Sequence, residues 1–149
     1  MHRTAVWLVA AGLAALGITA WASSAQTGPA LIRITSTQKQ YLRIDGGRGT
    51  AGDTEMIRQR LYNKKITKRS IGRSELLCTF TFGRNRSCRA TYFLPQGKLV
   101  VGGSITNRDV YELAILGGTG LYNNARGTLT AIRIARSPRR EFLIFRLAG

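Results

Sequence analysis

The stretch Val110–Ile134, VYELAILGGTGLYNNARGTLTAIRI, decides the fold. Two apolar, β-prone runs flank a turn cluster holding Gly117, Gly118, Gly120, Asn123, Asn124 and Gly127. Glycines are free to take φ > 0, and the alternation of Leu129 and Ala131 with Thr128 and Thr130 marks a return strand. A phosphate-cradling loop needs its glycines to open a helix. Here Gly120 leads to Asn123, and the residues after Gly127 are β-branched with period two. The glycines therefore build a corner in an antiparallel all-β domain.

Outward from this corner, period-two runs and turn residues give eight strands. They are Gln38 to Asp45, Asp53 to Tyr62, a run ending in Leu76 to Phe82, and Cys88 to Leu94, then Lys98 to Ile105, Val110 to Leu116, Gly127 to Ala135 and Glu141 to Leu147. A short pairing segment at Leu31 to Thr35 could precede the first. Gly46 to Gly52 reads as a flexible loop, Asn63-Lys64-Lys65, Pro95-Gln96-Gly97 and Ser137-Pro138-Arg139 as turns. No segment makes a convincing helix, because β-branched Ile57, Ile66 and Thr67 weaken Met56 to Arg69. Short strands at this spacing close into a barrel or a sandwich. An eight-stranded barrel leaves room inside for side chains or one small ligand.

The first 25 residues stand apart. His2 and Arg3 precede an apolar run from Ala5 to Ala20, followed by small residues up to Ala25. The run is shorter than the roughly 20 residues that span a bilayer, so it reads as a secretory signal peptide rather than an uncleaved anchor. Residues 26–37 then form an N-terminal extension and 38–149 the barrel. Cleavage removes Arg3 alone among the charged side chains and takes the net charge from +16 to +15. The basic residues are spread over loops and polar faces without interleaved aromatics, which argues against nucleic acid. They suit nonspecific attraction to an anionic cell envelope.

Cys78 falls in the apolar set of Leu76, Phe80 and Phe82, and Cys88 in that of Ala90, Tyr92 and Leu94. On consecutive strands of an exported hairpin they favour a disulfide, with a free Cys78 in a pocket as the alternative. His2 leaves with the leader, so the mature chain has no histidine, and Ser-His or Cys-His catalysis is excluded. The chain calls for no metal and no cofactor. Among only seven carboxylates, Glu112 and Glu55 are the catalytic candidates. Glu112 shares a face with Val110 and Ala114, and Glu55 one with Ile57 and Gln59. Facing inward, either is a partly desolvated acid for proton transfer or cation stabilisation; facing outward, it is a partner for surface arginines. Gln59, Tyr62, Cys78, Tyr92 and Tyr111 are the candidate cavity wall, with plain packing the alternative for the tyrosines.

The segment Gly117-Gly118-Thr119-Gly120-Leu121-Tyr122-x-x-Ala125-Arg126-Gly127, preceded by Leu113-Ala114-Ile115, resembles the signature of dirigent proteins and allene oxide cyclases. Gly52-Asp53 followed by Gln59-Arg60-Leu61-Tyr62 is similar to a cyclase pattern upstream. The resemblance implies an eight-stranded, calycin-like barrel, a monomer or homotrimer, binding a small hydrophobic molecule and guiding its cyclisation or coupling. A lipocalin-like carrier and a filled barrel acting through its basic surface are the rivals. It also implies a cavity asparagine, whose place Gln59 takes, and a cavity cysteine, at Cys78. Of the acids it implies, the first-strand glutamate finds only Asp45, and the dirigent acid finds Ser104 or Ile105, with Asp109 nearest. Arg126 comes with the signature, where a corner arginine more often ties loop carbonyls than binds substrate.

Overall fold

In the computed structural model, residues 30–44, 50–63 and 68–148 are described. The leader at 1–25, Asp45, and the readings at 46–49 and 64–67 lie outside them. Eight strands form a closed antiparallel barrel in which each pairs with its sequence neighbour and β1 closes on β8. They are β1 (Leu31–Ile44), β2 (Thr54–Tyr62), β3 (Gly72–Phe80), β4 (Arg86–Leu94), β5 (Gly97–Ile105), β6 (Val110–Gly120), β7 (Arg126–Arg136) and β8 (Arg139–Ala148). The β1–β8 seam closes the sheet over Leu31–Thr37, past which Gln38–Ile44 pair with β2 alone, and no helix occurs among the described residues.

The period-two reading differs at several boundaries: β3 stops at Phe80, leaving Phe82 outside the strand and exposed, β4 begins at Arg86 rather than Cys88, and two differences are larger. The first strand begins at Leu31, not Gln38, and takes in the pairing segment expected at Leu31 to Thr35: Leu31 to Thr37 pair with Arg146 to Arg140 of β8. The sixth strand runs through the glycines to Gly120, leaving only Leu121–Ala125 as the corner. Glycine is required there by space. A Cβ at Gly118 would stand 2.3 Å from the Tyr122 carbonyl oxygen, and Gly127 (φ 126°) would bring one to 2.0 Å from that of Arg146.

Inward-facing side chains fill most of the barrel. Leu61, Tyr92, Leu99, Val101, Leu113, Leu129, Leu143 and Phe145 form the packed centre, where Tyr92 meets Phe145 edge to face at 5.0 Å. Three bulges interrupt the alternation. Lys39 in β1, Leu116 in β6 and Ile134 in β7 each have no partner in the register. Each extra residue switches which parity faces inward. Ser36 and Gln38 therefore face the interior before the first bulge, and Tyr41 and Arg43 after it.

Cys78 and Cys88 lie directly opposite one another on β3 and β4, with Cα atoms 4.1 Å apart, and are joined as a disulfide. Both are buried on the inner face, so the bridge staples a hairpin inside the core. Replacing both by serine is expected to lower stability by about 2 to 3 kcal/mol, for the short loop it closes. Urea unfolding of the oxidised and the substituted protein measures the difference; equal midpoints would show that the bridge stabilises nothing.

Candidate functional site

The interior is polar at one end. There the β3–β4, β5–β6 and β7–β8 connections meet the start of β2, and inward-facing side chains give way to charged ones. Glu55 of β2 is fully enclosed and is met by three elements. The Arg86 guanidinium of β4 donates to Oε1, Arg108 of the β5–β6 loop approaches Oε2 at 3.3 Å, and the Tyr41 hydroxyl donates to Oε2 at 3.2 Å. Phe80 lies beneath, with the guanidiniums of Arg43, Arg86 and Arg108 within 5.0 to 5.9 Å of its ring.

A second buried acid, Glu141, begins the inward series of β8 that continues through Leu143 and Phe145. It accepts from Gln59 Nε2 at 2.8 Å, from the Tyr111 hydroxyl at 3.2 Å and from Arg139 Nε at 2.8 Å. Ser74 donates to Gln59 Oε1 at 3.0 Å, so both ends of that amide are engaged. The two networks flank an open cavity of about 440 Å³, lined by Gln38, Tyr41, Glu55, Arg108, Arg133 and Arg139 together with Arg136, Ser137 and Pro138. Arg133 holds the β5–β6 loop in place by donating to the Arg108 carbonyl and pairing with Asp109, each at 2.7 Å.

Burial lowers the Arg86 guanidinium from its usual pKa, against the pull of Glu55. Arg139 shifts upward: burial alone would lower it, but Glu141 outweighs burial. Four phenols are raised above the ordinary 10.0. Burial comes first for Tyr41, Tyr92, Tyr111 and Tyr122; Glu55 adds to it at Tyr41 and Glu141 at Tyr111. The unfolded chain ionises its phenols near 10 while the folded barrel withholds the enclosed phenols of Tyr92 and Tyr111 from ionisation. Stability present below pH 10 is therefore lost as pH climbs above it, by about 1.4 kcal/mol per pH unit for each withheld phenol. Phenolate absorbance should lag in the native protein and rise in one step with unfolding; a smooth titration near 10 would contradict the burial of Tyr92 and Tyr111.

The predicted residues divide accordingly. Glu55 lines the cavity. Glu112 does not: it points outward, where Thr130 donates to it at 2.9 Å. Its face, shared with Val110 and Ala114, is the exposed one. Gln59 and Tyr111 sit deeper than the open space, tied to Glu141. Cys78 and Tyr92 belong to the packed core. Tyr62 is buried but faces away from Gln59, opposite Thr35 on the outer side of the sheet. Arg126 ties the carbonyls of Leu116 and Ala125, at 3.0 and 3.1 Å. With Gly117, Gly118, Gly120 and Gly127 it lies at the end of the barrel opposite the charged mouth. Asp109 is at the rim, paired with Arg133. Among the described residues no cluster of His, Cys, Asp or Glu is placed to hold a metal.

Sequence reasoning missed Glu141, Arg86, Arg108, Arg139 and Tyr41. Parity could have found two of them, since Glu141 alternates with Leu143 and Phe145, and Arg86 with Cys88 and Ala90. No protein-family model matches the chain, and no curated protein matches it. Solved structures do. A pyocyanin demethylase superposes with a TM-score of 0.67 at 23% identity, covering 79% of this chain and 99% of its own. The pterocarpan synthase dirigent protein GePTS1 superposes at 0.66 and 15% identity, over 95% and 97% of the two chains. The fold is the dirigent barrel. The Diels-Alderase AbmU from Streptomyces koyangensis has it too, at 0.62 and 18% identity, over 79% of this chain and 64% of its own. In this dirigent-like barrel the acids of the mouth come from β2 and β8.

Proposed function

We propose that the chain is an exported barrel that binds a small molecule in its charged mouth and guides its cyclisation or coupling. The observation that carries this is the shared wall of a 440 Å³ cavity by Glu55, Tyr41 and Arg108, a buried acid flanked by two donors. Glu55 would stabilise a developing cation or take up a proton. Tyr41, whose phenol burial and Glu55 hold in the protonated form, would donate to a developing oxyanion. The walls would hold one reactive conformer, which by itself lowers the barrier. The names of the neighbouring barrels, a dirigent protein and a Diels-Alderase, support this class of chemistry. Export is supported by the leader-like residues 2–25 and by the disulfide.

The test expresses the full chain and recovers the exported protein, its N-terminus expected near Gln26. Unsaturated epoxides, and phenols oxidised by a separately supplied one-electron oxidant, are incubated with it and the products resolved on a chiral column. At least one class is expected to give unequal enantiomers, and Tyr41→Phe to slow that reaction by about ten- to a hundredfold. Racemic products at the background rate throughout would reject guidance. A noncatalytic carrier is the second reading, favoured because both oxygens of Glu55 are already engaged within the protein.

A further inference from the structure

The barrel mouth carries more positive charge than its own acids balance, and we propose that it is a carboxylate-binding site whose ligand is a small unsaturated or aromatic acid. This rests on reading the mouth as a ligand site and narrows the expectation of a small hydrophobic guest to one that carries a carboxylate. Five guanidiniums, of Arg86, Arg108, Arg133, Arg136 and Arg139, gather at this end against three carboxylates, Glu55, Asp109 and Glu141. Two positive charges are left over.

The donors left over belong to particular residues. The Arg136 side chain makes no hydrogen bond or ion pair among the described residues, and its backbone pairs with Arg139 across the Ser137-Pro138 turn at the edge of the cavity. Arg108 engages one terminal nitrogen with Glu55 and keeps Nε and Nη1. Arg139 gives Nε and Nη2 to Glu141 and keeps Nη1. The Nε of Arg133 is buried with no acceptor among the described residues. A carboxylate offers about four lone-pair positions on two oxygens and matches the fork of a guanidinium.

The rest of the guest has a place as well. The half-exposed ring of Tyr41 and the ring of Pro138 are the apolar surfaces of the cavity. They suit a flat, unsaturated body, and the volume lies within the usual range for small ligands. Glu55 stands in the same wall, so one added negative charge is accommodated better than the two of a phosphate.

Calorimetry on the exported protein tests this with cinnamate, with cinnamyl alcohol as the same body without charge, and with inorganic phosphate. Cinnamate is expected to bind at least about tenfold more tightly than the alcohol, as one charge-assisted pair would give. The advantage should shrink in added salt. Replacing Arg108 and Arg136 together by glutamine should bring cinnamate down to the affinity of the alcohol, both measured on the same variant. Equal binding of acid and alcohol to the unaltered protein overturns the carboxylate site while leaving the mouth as a ligand site. Tighter binding of phosphate than of cinnamate overturns the choice of carboxylate. Failure of both organic probes overturns the inference and the reading of the mouth together.

Discussion

Glu55→Leu is expected to destabilise the barrel by about 5 kcal/mol, the upper end of what breaking a buried ion pair costs. Glu55 and Arg86 expose 1% and 3% of their side chains. Without the acid, Arg86 keeps its charge in the interior, its guanidinium 5.7 Å from the Phe80 ring and its Nε without an acceptor among the described residues. The converse change is milder. Arg86→Met leaves Glu55 with Arg108 and Tyr41, both of them about half-exposed, and the loss is expected near 3 kcal/mol. The double variant Glu55→Leu/Arg86→Met leaves no unpaired buried charge and is expected to recover most of the difference, because apolar side chains of similar volume replace such pairs with little loss. Urea unfolding of the three variants gives the coupling directly. A loss below about 1 kcal/mol for Glu55→Leu, the range of exposed pairs, would show that the acid is not enclosed.

The second large effect is at Glu141. Its carboxylate collects Gln59, Tyr111 and Arg139, from three strands in total including its own. Glu141→Ala strands a buried amide nitrogen, a buried hydroxyl and a mostly buried guanidinium at once. The expected loss is about 4 kcal/mol, combining an unpaired charge with unsatisfied donors. Tyr111→Phe removes a single donor from an acid that keeps two others, and should cost about 1 kcal/mol. Denaturant titration of the pair separates these magnitudes; similar losses for the two would mean that Glu141 does not join the strands as described. Nuclear magnetic resonance of the Gln59 side-chain amide offers a further reading, since its protons should exchange rapidly only in Glu141→Ala.

Much of the barrel was legible from local chemistry. The glycine corner, the Cys78–Cys88 hairpin and the alternation of Leu76, Cys78 and Phe80 depend on neighbours a few residues apart, where period and turn residues suffice. The ends of strands were less so. Leu31 to Thr37 reads as an extension because its partners, Arg140 to Arg146, lie at the far end of the chain. The site was the least legible part, for two physical reasons. Arg108 reaches Glu55 from a loop 53 positions away, a meeting that closure creates and no periodicity records. Tyr41 faces inward only because Lys39 interrupts the alternation, and an unbroken period-two count places it outside. Glu112 shows the converse: an acid within an apolar-looking strand, yet on the side where Thr130 and solvent meet it.

The bulges at Lys39 and Ile134 give β1 and β7 one phase in the packed centre and another at the mouth. Below them, parity is locked to the packed centre, where shifting one strand would turn leucines into solvent. Above them, the same strands are phased afresh, and one residue more or less determines which side chains form the rim. Flattening the first bulge, so that Lys39 joined the alternation, would bring Gln40 and Leu42 to the opening in place of Tyr41 and Arg43 without turning Ile34 or Ser36. A scaffold built this way can acquire a new lining through single-residue insertions and deletions, a kind of change that most sheets do not survive. Diversity of chemistry among barrels of one shape could then come from phase as much as from substitution.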